Sequence, residues 1–249
     1  MNTRSEITRP LMPGYYYHIY NRSNSNHRLF FEPANYSYFL RQYARYLDHY
    51  VETFAYCLLP DHFHMLVRVK PTESIFAAVQ DAYKRPTRNW ITSMLSLSQE
   101  LDQPCFPPNT FTDFHFLQEL PTDIAAQAAA LFVSNQLRTL FMSYSKAVNN
   151  RMNRRGALFQ KPFKRKAISD HLYLKWLIWY IHRNPLHHSV HKDFRSYPWS
   201  SYRSLLSDRP TRLARVEVLS WFEEGATGFK EYHDIGEQAW DELSGLALE

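Results

Sequence analysis

The sequence predicts an α+β domain built on a split β-α-β unit, with an antiparallel sheet that carries helices on one face. Three observations predict it. A β-prone segment near the start is separated by a helical segment from two apolar segments that meet at Pro60-Asp61. A second helical segment and a short strand follow further on. The run closes on a long helix that is apolar on nearly every side.

Each element has its own justification. Tyr15 to Asn21 (YYYHIYN) is aromatic and β-prone after the Pro13-Gly14 turn, which predicts a strand. Pro33 to His49 carries Tyr36, Phe39, Leu40, Tyr43 and Leu47 at helical spacing, and Pro33 suits the first turn. Val51 to Leu59 and His62 to Val69 read as two strands of a hairpin. Ile75 to Tyr83 begins a second helix. Lys84 to Pro121 contains Pro86, Pro104, Pro107, Pro108 and Pro121 and reads as part of an insertion spanning about 84–130. Helix resumes from Ala125 to about Asn150, Gly156 breaks the chain, and Ala157 to Ile168 accommodates a short strand. Ser169 suits an N-cap with Asp170 in the first turn. The last helix is expected to end near Asn184, because Pro185 cannot continue it. This order is the ferredoxin-like one, with a helical insertion and a C-terminal extension added.

Composition narrows the function classes. The 249 residues are 45% hydrophobic and 16% aromatic, which excludes disorder for most of the chain. Two cysteines, Cys57 and Cys105, make no disulfide framework, and no stretch of eighteen apolar residues exists. The opening MNTRSEITRP lacks an apolar signal core. A cytoplasmic protein with no membrane partner is expected. The net charge of +5 is unevenly spread: residues 208–249 hold ten acidic and four basic residues, leaving 25 basic and 14 acidic in residues 1–207. A catalytic region over 1–207 and an acidic extension over 208–249 are expected. Arg138 to Lys166 contains nine basic residues and no acidic one, a candidate phosphate-binding surface. The bland alternative is a solvated helix face.

Two pairs carry candidate chemistry. His62 and His64 flank Phe63 on a predicted strand, so both imidazoles project from one face, about 7 Å apart at Cα. Two such rings can converge on a divalent cation, or can be hydrogen-bonded histidines with no metal. Tyr180 and Asn184 stand four residues apart on the last helix, one turn along one face. A Tyr hydroxyl can act as a nucleophile and an Asn carbonyl oxygen can complete a metal site. The competing reading makes Tyr180 a core aromatic. Together with the basic block, the pieces suit metal-assisted cleavage of a phosphodiester by tyrosine.

AYCLLPDHFHMLV (55–67), NRRGALFQKPFKRKAI (153–168), YIHRNP (180–185), YPWSSY (197–202) and the opening YYYHIYNRSN (15–24) together resemble the single-tyrosine HUH transposases, and within them the REP-associated tyrosine transposases. The likeness covers roughly residues 14–205, interrupted near 84–130. It implies a ferredoxin-like HUH nuclease fold, dependence on Mg²⁺ or Mn²⁺, and cleavage of single-stranded DNA near REP-like hairpins through a 5′-phosphotyrosine with a free 3′-OH. It implies metal ligation by His62 and His64, a nucleophilic Tyr180, and an Asn184 that assists the metal. Arg151, Arg154, Arg155, Lys161, Lys164, Arg165 and Lys166 are the expected DNA-backbone contacts. The resemblance implies a monomer or homodimer working at the nucleoid. Many such proteins carry Asn before the first histidine, where this chain has Asp61; here Asp61 reads first as a turn residue and otherwise as a carboxylate orienting His62. Two other classes stay open: a non-catalytic nucleic-acid binder of RNA-recognition-like fold, and a metallophosphodiesterase that activates water and needs no Tyr180.

Overall fold

The computed structural model describes residues 10–24, 28–82, 117 and 120–235. Most of the expected insertion, together with Cys105, lies outside the described residues. The elements are β1 (Tyr16–Arg22), α1 (Pro33–Leu47), β2 (Val51–Leu58), β3 (His62–Val69), α2 (Thr72–Ala82), α3 (Thr122–Arg151), β4 (Lys164–Ile168), α4 (His171–His187), α5 (Tyr202–Leu206), α6 (Arg215–Ser220) and α7 (Ala226–Ile235). The sheet has four strands in the order β2-β3-β1-β4, and every neighbouring pair is antiparallel. β3 thus sits between β1 and β2, as a split β-α-β unit requires.

Helices cover both faces of this sheet, not one. Tyr17 and Ile19 of β1 and Phe63, Met65 and Val67 of β3 share a buried core with Tyr36, Phe39, Tyr43 and Leu47 of α1 and with Ala128, Phe132 and Val133 of α3. The opposite face carries a second core, in which Ala55, Cys57 and Leu66 meet Trp176, Leu177 and Tyr180 of α4. The reason is legible in β3, where every residue from Phe63 to Val67 is buried, on both faces of the strand. Such a strand would expose one face to water unless a second layer covered it.

Local chemistry explains the element ends. Pro33 opens α1, and Glu32 with Asn35 forms a capping box there. The N-cap of α4 is Asp170, not Ser169: its carboxylate accepts from the Leu172 amide at 2.8 Å. α4 also runs through Pro185 to His187. Proline in the last turn removes a single ladder bond, and burial of every residue from Trp176 to Pro185 holds the turn in place. The short strand expected within 157–168 begins at Lys164 and ends at Ile168; upstream of it an isolated bridge pairs Phe159 with Ser23. α3 is continuous from Thr122, three residues ahead of the expected start at Ala125, and its Ala125, Ala128 and Ala129 belong to the first core.

The described residues after Ser207 are built into the second core. Val218, Phe222 and Phe229 are buried beside α4, and Glu217 pairs with Arg68 of β3 at 2.8 Å. Among the described residues no helix is long and apolar enough to cross a membrane.

Candidate active site

Strand alternation puts His62 and His64 on the face of β3 that α4 covers, with their rings 5.3 Å apart and perpendicular. The register sets Tyr20 of β1 opposite His64 and Arg22 opposite His62. Each histidine is oriented through its Nδ1. His62 Nδ1 lies 2.8 Å from Asp61 Oδ1, so Asp61 orients the ring as well as shaping the turn. His64 Nδ1 lies 2.9 Å from His18 Nε2, and the two rings stack at 5.1 Å. Burial pushes the His64 pKa well below the ordinary value, with the neighbouring His18, His62 and His188 adding to the effect. His18 is lowered to about 3, again by burial and then by Lys166. Both rings are therefore neutral, with lone pairs that can accept or ligate.

α4 lays Tyr180 across this pair. Its ring is 5.5 Å from that of His64 at 86°, and 6.4 Å from that of His18. Trp176, one turn earlier, stacks on Tyr180 at 5.4 Å and 17°. Tyr180 is only 4% exposed. Asn184, one turn later, is fully buried, and its Nδ2 donates to the Tyr180 carbonyl at 2.8 Å. That bond fixes the amide and leaves Asn184 Oδ1 buried without a hydrogen-bond partner. His62 Nε2 is in the same condition.

These orphaned acceptors are a test of the metal expectation. Among the described residues no three His, Cys, Asp or Glu side chains form a metal cluster. A cation here would draw on two imidazoles and one amide oxygen, a sparse set. That number leaves positions for waters and a phosphate oxygen on a divalent ion, with the amide oxygen the one hard donor of the three. The carboxylate behind His62 is an outer partner of the kind such ligands have, whereas His64 leans on a second imidazole.

A cavity of about 280 Å³ opens on His62 and His64. Asp61, Asn21, Gln160, Lys164 and His188 also line it, and Tyr180 and Asn184 are not among its lining residues. A larger cleft of about 1000 Å³ lies between the C-terminal half of α3 and the chain leading to β4. Asn21 and Gln160 line both, so the two are adjacent.

The structure divides the expected DNA contacts. Arg154, Arg155, Lys161 and Arg165 line the large cleft, beside Arg138 and Lys146. Lys164 lines the small cavity and stands 5.6 Å over the Tyr20 ring. Lys166 lies 4.9 Å over the Tyr173 ring. Arg151 pairs with Glu32 at 2.6 Å and lines neither opening. β4 alternates, so Lys164 and Lys166 face the histidines while Arg165 faces the first core. Burial lowers the Arg165 pKa to about 10, and Arg138 adds to this against the opposing effect of Tyr17.

Sequence reasoning does not single out His18, Asn21 or Gln160 as site residues. His18 and Tyr20 lie two apart in YYYHIYN, so one face of β1 is readable. Which strand that face joins is set by a pairing 46 residues away, between His18 and His64, and no local signal shows it.

No family model matches the chain, and no curated protein matches it. A solved structure of a REP-associated tyrosine transposase bound to a REP hairpin is similar at 14% identity and a TM-score of 0.47, over 84% of this chain and 89% of that one. A likeness of that degree leaves the functional reading to the residues themselves.

Proposed function

We propose that the protein is a metal-dependent single-stranded DNA endonuclease and strand transferase of the tyrosine HUH type, with a ferredoxin-like HUH nuclease fold. The observation that carries the reading is the meeting of His62, His64 and Tyr180 on one sheet face, with two buried, partnerless acceptors at His62 Nε2 and Asn184 Oδ1. His62, His64 and Asn184 would hold Mg²⁺ or Mn²⁺, which supplies charge stabilisation to the scissile phosphate when bound. Asp61 and His18 hold the two imidazoles in place. Lys164, on the rim of the small cavity, binds a phosphate oxygen.

Tyr180 Oη attacks the phosphorus. The bond from phosphorus to the 3′ oxygen breaks, and the proton lost by the Tyr180 hydroxyl passes through solvent to the departing 3′ oxygen, which leaves as a free 3′-OH. The 5′-phosphate stays on Tyr180 and is passed to a second 3′-OH in the reverse step. Because Tyr180 is 4% exposed, strand binding must uncover its hydroxyl before attack. DNA with hairpins as the substrate, and work in the cytoplasm at the nucleoid, follow from the motif resemblance described above.

A second reading has one observation in its favour: Tyr180 and Asn184 do not line the cavity that opens on His62 and His64. That arrangement suits a phosphodiesterase in which water attacks. One experiment separates the two. Hairpin-flanked single-stranded DNA is incubated with the protein and Mn²⁺ or Mg²⁺ and run on a denaturing gel. A covalent protein–DNA adduct that disappears in Tyr180→Phe is the expected result, and cleavage that persists in Tyr180→Phe selects the water mechanism. His62→Ala and His64→Ala are expected to abolish cleavage while keeping most of the DNA affinity, which the basic residues supply.

A further inference from the structure

We propose that Tyr20 is a further catalytic residue, whose hydroxyl donates a hydrogen bond to a non-bridging oxygen of the scissile phosphate. The inference rests on the reading of the histidine site as a phosphodiester-cleaving centre and adds a group which that reading does not use.

The sheet register puts Tyr20 where the phosphate has to lie. Tyr20 of β1 stands opposite His64 of β3 on one side and opposite Lys164 of β4 on the other. Residues directly opposite in antiparallel strands share a face, so His64, Tyr20 and Lys164 form one row across three strands. Neighbouring strands lie about 4.8 Å apart, so the row spans about 10 Å at Cα with the phenol in the middle. A phosphate that meets both the histidine pair and Lys164 therefore crosses Tyr20. All three side chains line the cavity that opens on His62, whereas Tyr180 does not.

The Tyr20 ring is held while its hydroxyl is left for a ligand. The ring stacks on His18 at 4.7 Å and 26°, and on His64 at 5.8 Å and 14°. Lys164 Nζ lies 5.6 Å from the ring centroid. These contacts engage the ring and not the oxygen. Among the described residues none hydrogen-bonds the Tyr20 hydroxyl, and the oxygen is not sealed from solvent although the residue is only 8% exposed. A tyrosine buried to this degree normally ties its hydroxyl to a partner; here the hydroxyl has only the cavity to turn to. Burial raises the Tyr20 pKa, so the phenol keeps its proton at neutral pH and offers an O–H donor. A neutral donor fixed in a ring stack is already in place for charge on the non-bridging oxygens when Tyr180 attacks. The Tyr20 hydroxyl keeps its proton throughout, so the bonds made and broken at phosphorus are those described for Tyr180.

The test is Tyr20→Phe in the full chain, which keeps the ring stacks and deletes only the oxygen. The first measurement is affinity, with Mn²⁺ and in the Tyr180→Phe background, for a short single strand with and without a 5′-phosphate. The preference for the phosphorylated strand is expected to fall about tenfold when Tyr20→Phe is added, with affinity for the unphosphorylated strand and the circular dichroism unchanged. The second measurement is the rate of adduct formation on hairpin strands in which sulfur replaces one or the other non-bridging oxygen of the cleaved phosphate. Tyr20→Phe alone is expected to slow the reaction of the all-oxygen strand about ten- to hundredfold. Sulfur is a weak acceptor, so one of the two sulfur strands should slow the wild type and slow Tyr20→Phe little further. A merely structural role would slow all the strands alike. Equal phosphate preference and equal sulfur effects with and without the hydroxyl, in a protein that forms the adduct, overturn the donor role and leave the proposed activity standing. A phosphate preference lost in Tyr20→Phe, with no adduct on any strand, supports the donor role and overturns the tyrosine activity. An adduct that persists in Tyr180→Phe and disappears in Tyr20→Phe makes Tyr20 the nucleophile and overturns its assignment as a donor.

Discussion

At the scale of single residues, the site depends on how its two histidines are held. His62 leans on a carboxylate and His64 on a second imidazole. For His64 to offer Nε2 to a cation, its Nδ1–H must donate to His18 Nε2, which fixes both tautomers. Asp61→Ala should therefore weaken Mn²⁺ binding by about 10- to 100-fold in titration calorimetry, the usual cost of losing such an outer partner. Asp61→Asn keeps an acceptor for the His62 Nδ1–H and should retain most of the affinity. Equal affinity in wild type and Asp61→Ala would reduce Asp61 to a turn residue. His18→Phe preserves the ring stack on His64 and Tyr20 while deleting the bond to His64 Nδ1, so metal affinity should fall with little loss of thermal stability. Part of this is open to sequence reasoning. The two-residue period of a strand puts His62 and His64 on one face, and the four-residue spacing of a helix aligns Tyr180 with Asn184. The supporting His18 is not open to it, because the partner of a strand is chosen by the whole sheet.

At the scale of elements, α4 is held in place by its neighbours. The Tyr56 amide donates to Ser201 Oγ at 2.9 Å, and the Ser201 hydroxyl bonds His182 Nε2 at 2.8 Å. His182 Nδ1 then donates to His233 Nε2 at 2.8 Å, and His233 Nδ1–H donates to the Phe229 carbonyl at 2.7 Å. This chain of neutral groups runs from β2 through α4 to α7, and α4 carries Tyr180 two residues before His182. α7 adds Phe229, fully buried against the same core. Phe229→Ala should cost about 3–5 kcal/mol, read as a fall in the urea midpoint at unchanged slope. Truncation after Ser207 should abolish cooperative unfolding, because Val218, Phe222 and Phe229 leave the core together. If instead the truncated chain unfolds cooperatively and binds nonspecific DNA more tightly, the segment is a removable cover. The composition of 208–249 suggests an acidic appendage, because charge counts do not reveal which apolar residues are packed. Two of its described acids have partners inside the fold: Glu217 holds Arg68 and Asp234 holds Arg195. The order of elements is readable from periodicity, whereas the position of α4 on the second face is not, since an all-round apolar helix does not say which surface buries it.

At the scale of the whole molecule, one four-stranded sheet separates two cores, and the candidate site lies on the side that the C-terminal helices close. Stability of that side is tied to histidines that must stay neutral. Burial lowers the His233 pKa to about 3, outweighing the hydrogen bond to the Phe229 carbonyl, with Arg183 acting in the same direction as burial. In the unfolded chain His233 titrates near 6.5. Well above pH ~6.5 neither state is protonated and stability does not depend on this group. Below pH ~6.5 the unfolded chain gains a proton that the folded chain refuses, so stability falls as pH drops towards about 3. One such group contributes about 1.4 kcal/mol per pH unit across that window. The relay sharpens the effect, since a proton on His233 Nε2 turns the acceptor for His182 into a second donor and leaves the two facing each other. Urea midpoints measured from about pH 7.5 to about pH 4 should therefore decline below pH ~6.5. In His233→Gln, which keeps hydrogen-bonding capacity at the position but cannot titrate, the decline should be shallower by up to one proton's worth of slope. An identical decline in His233→Gln and wild type would mean that the acid sensitivity arises elsewhere and that the relay does not set the stability of the site's closing layer.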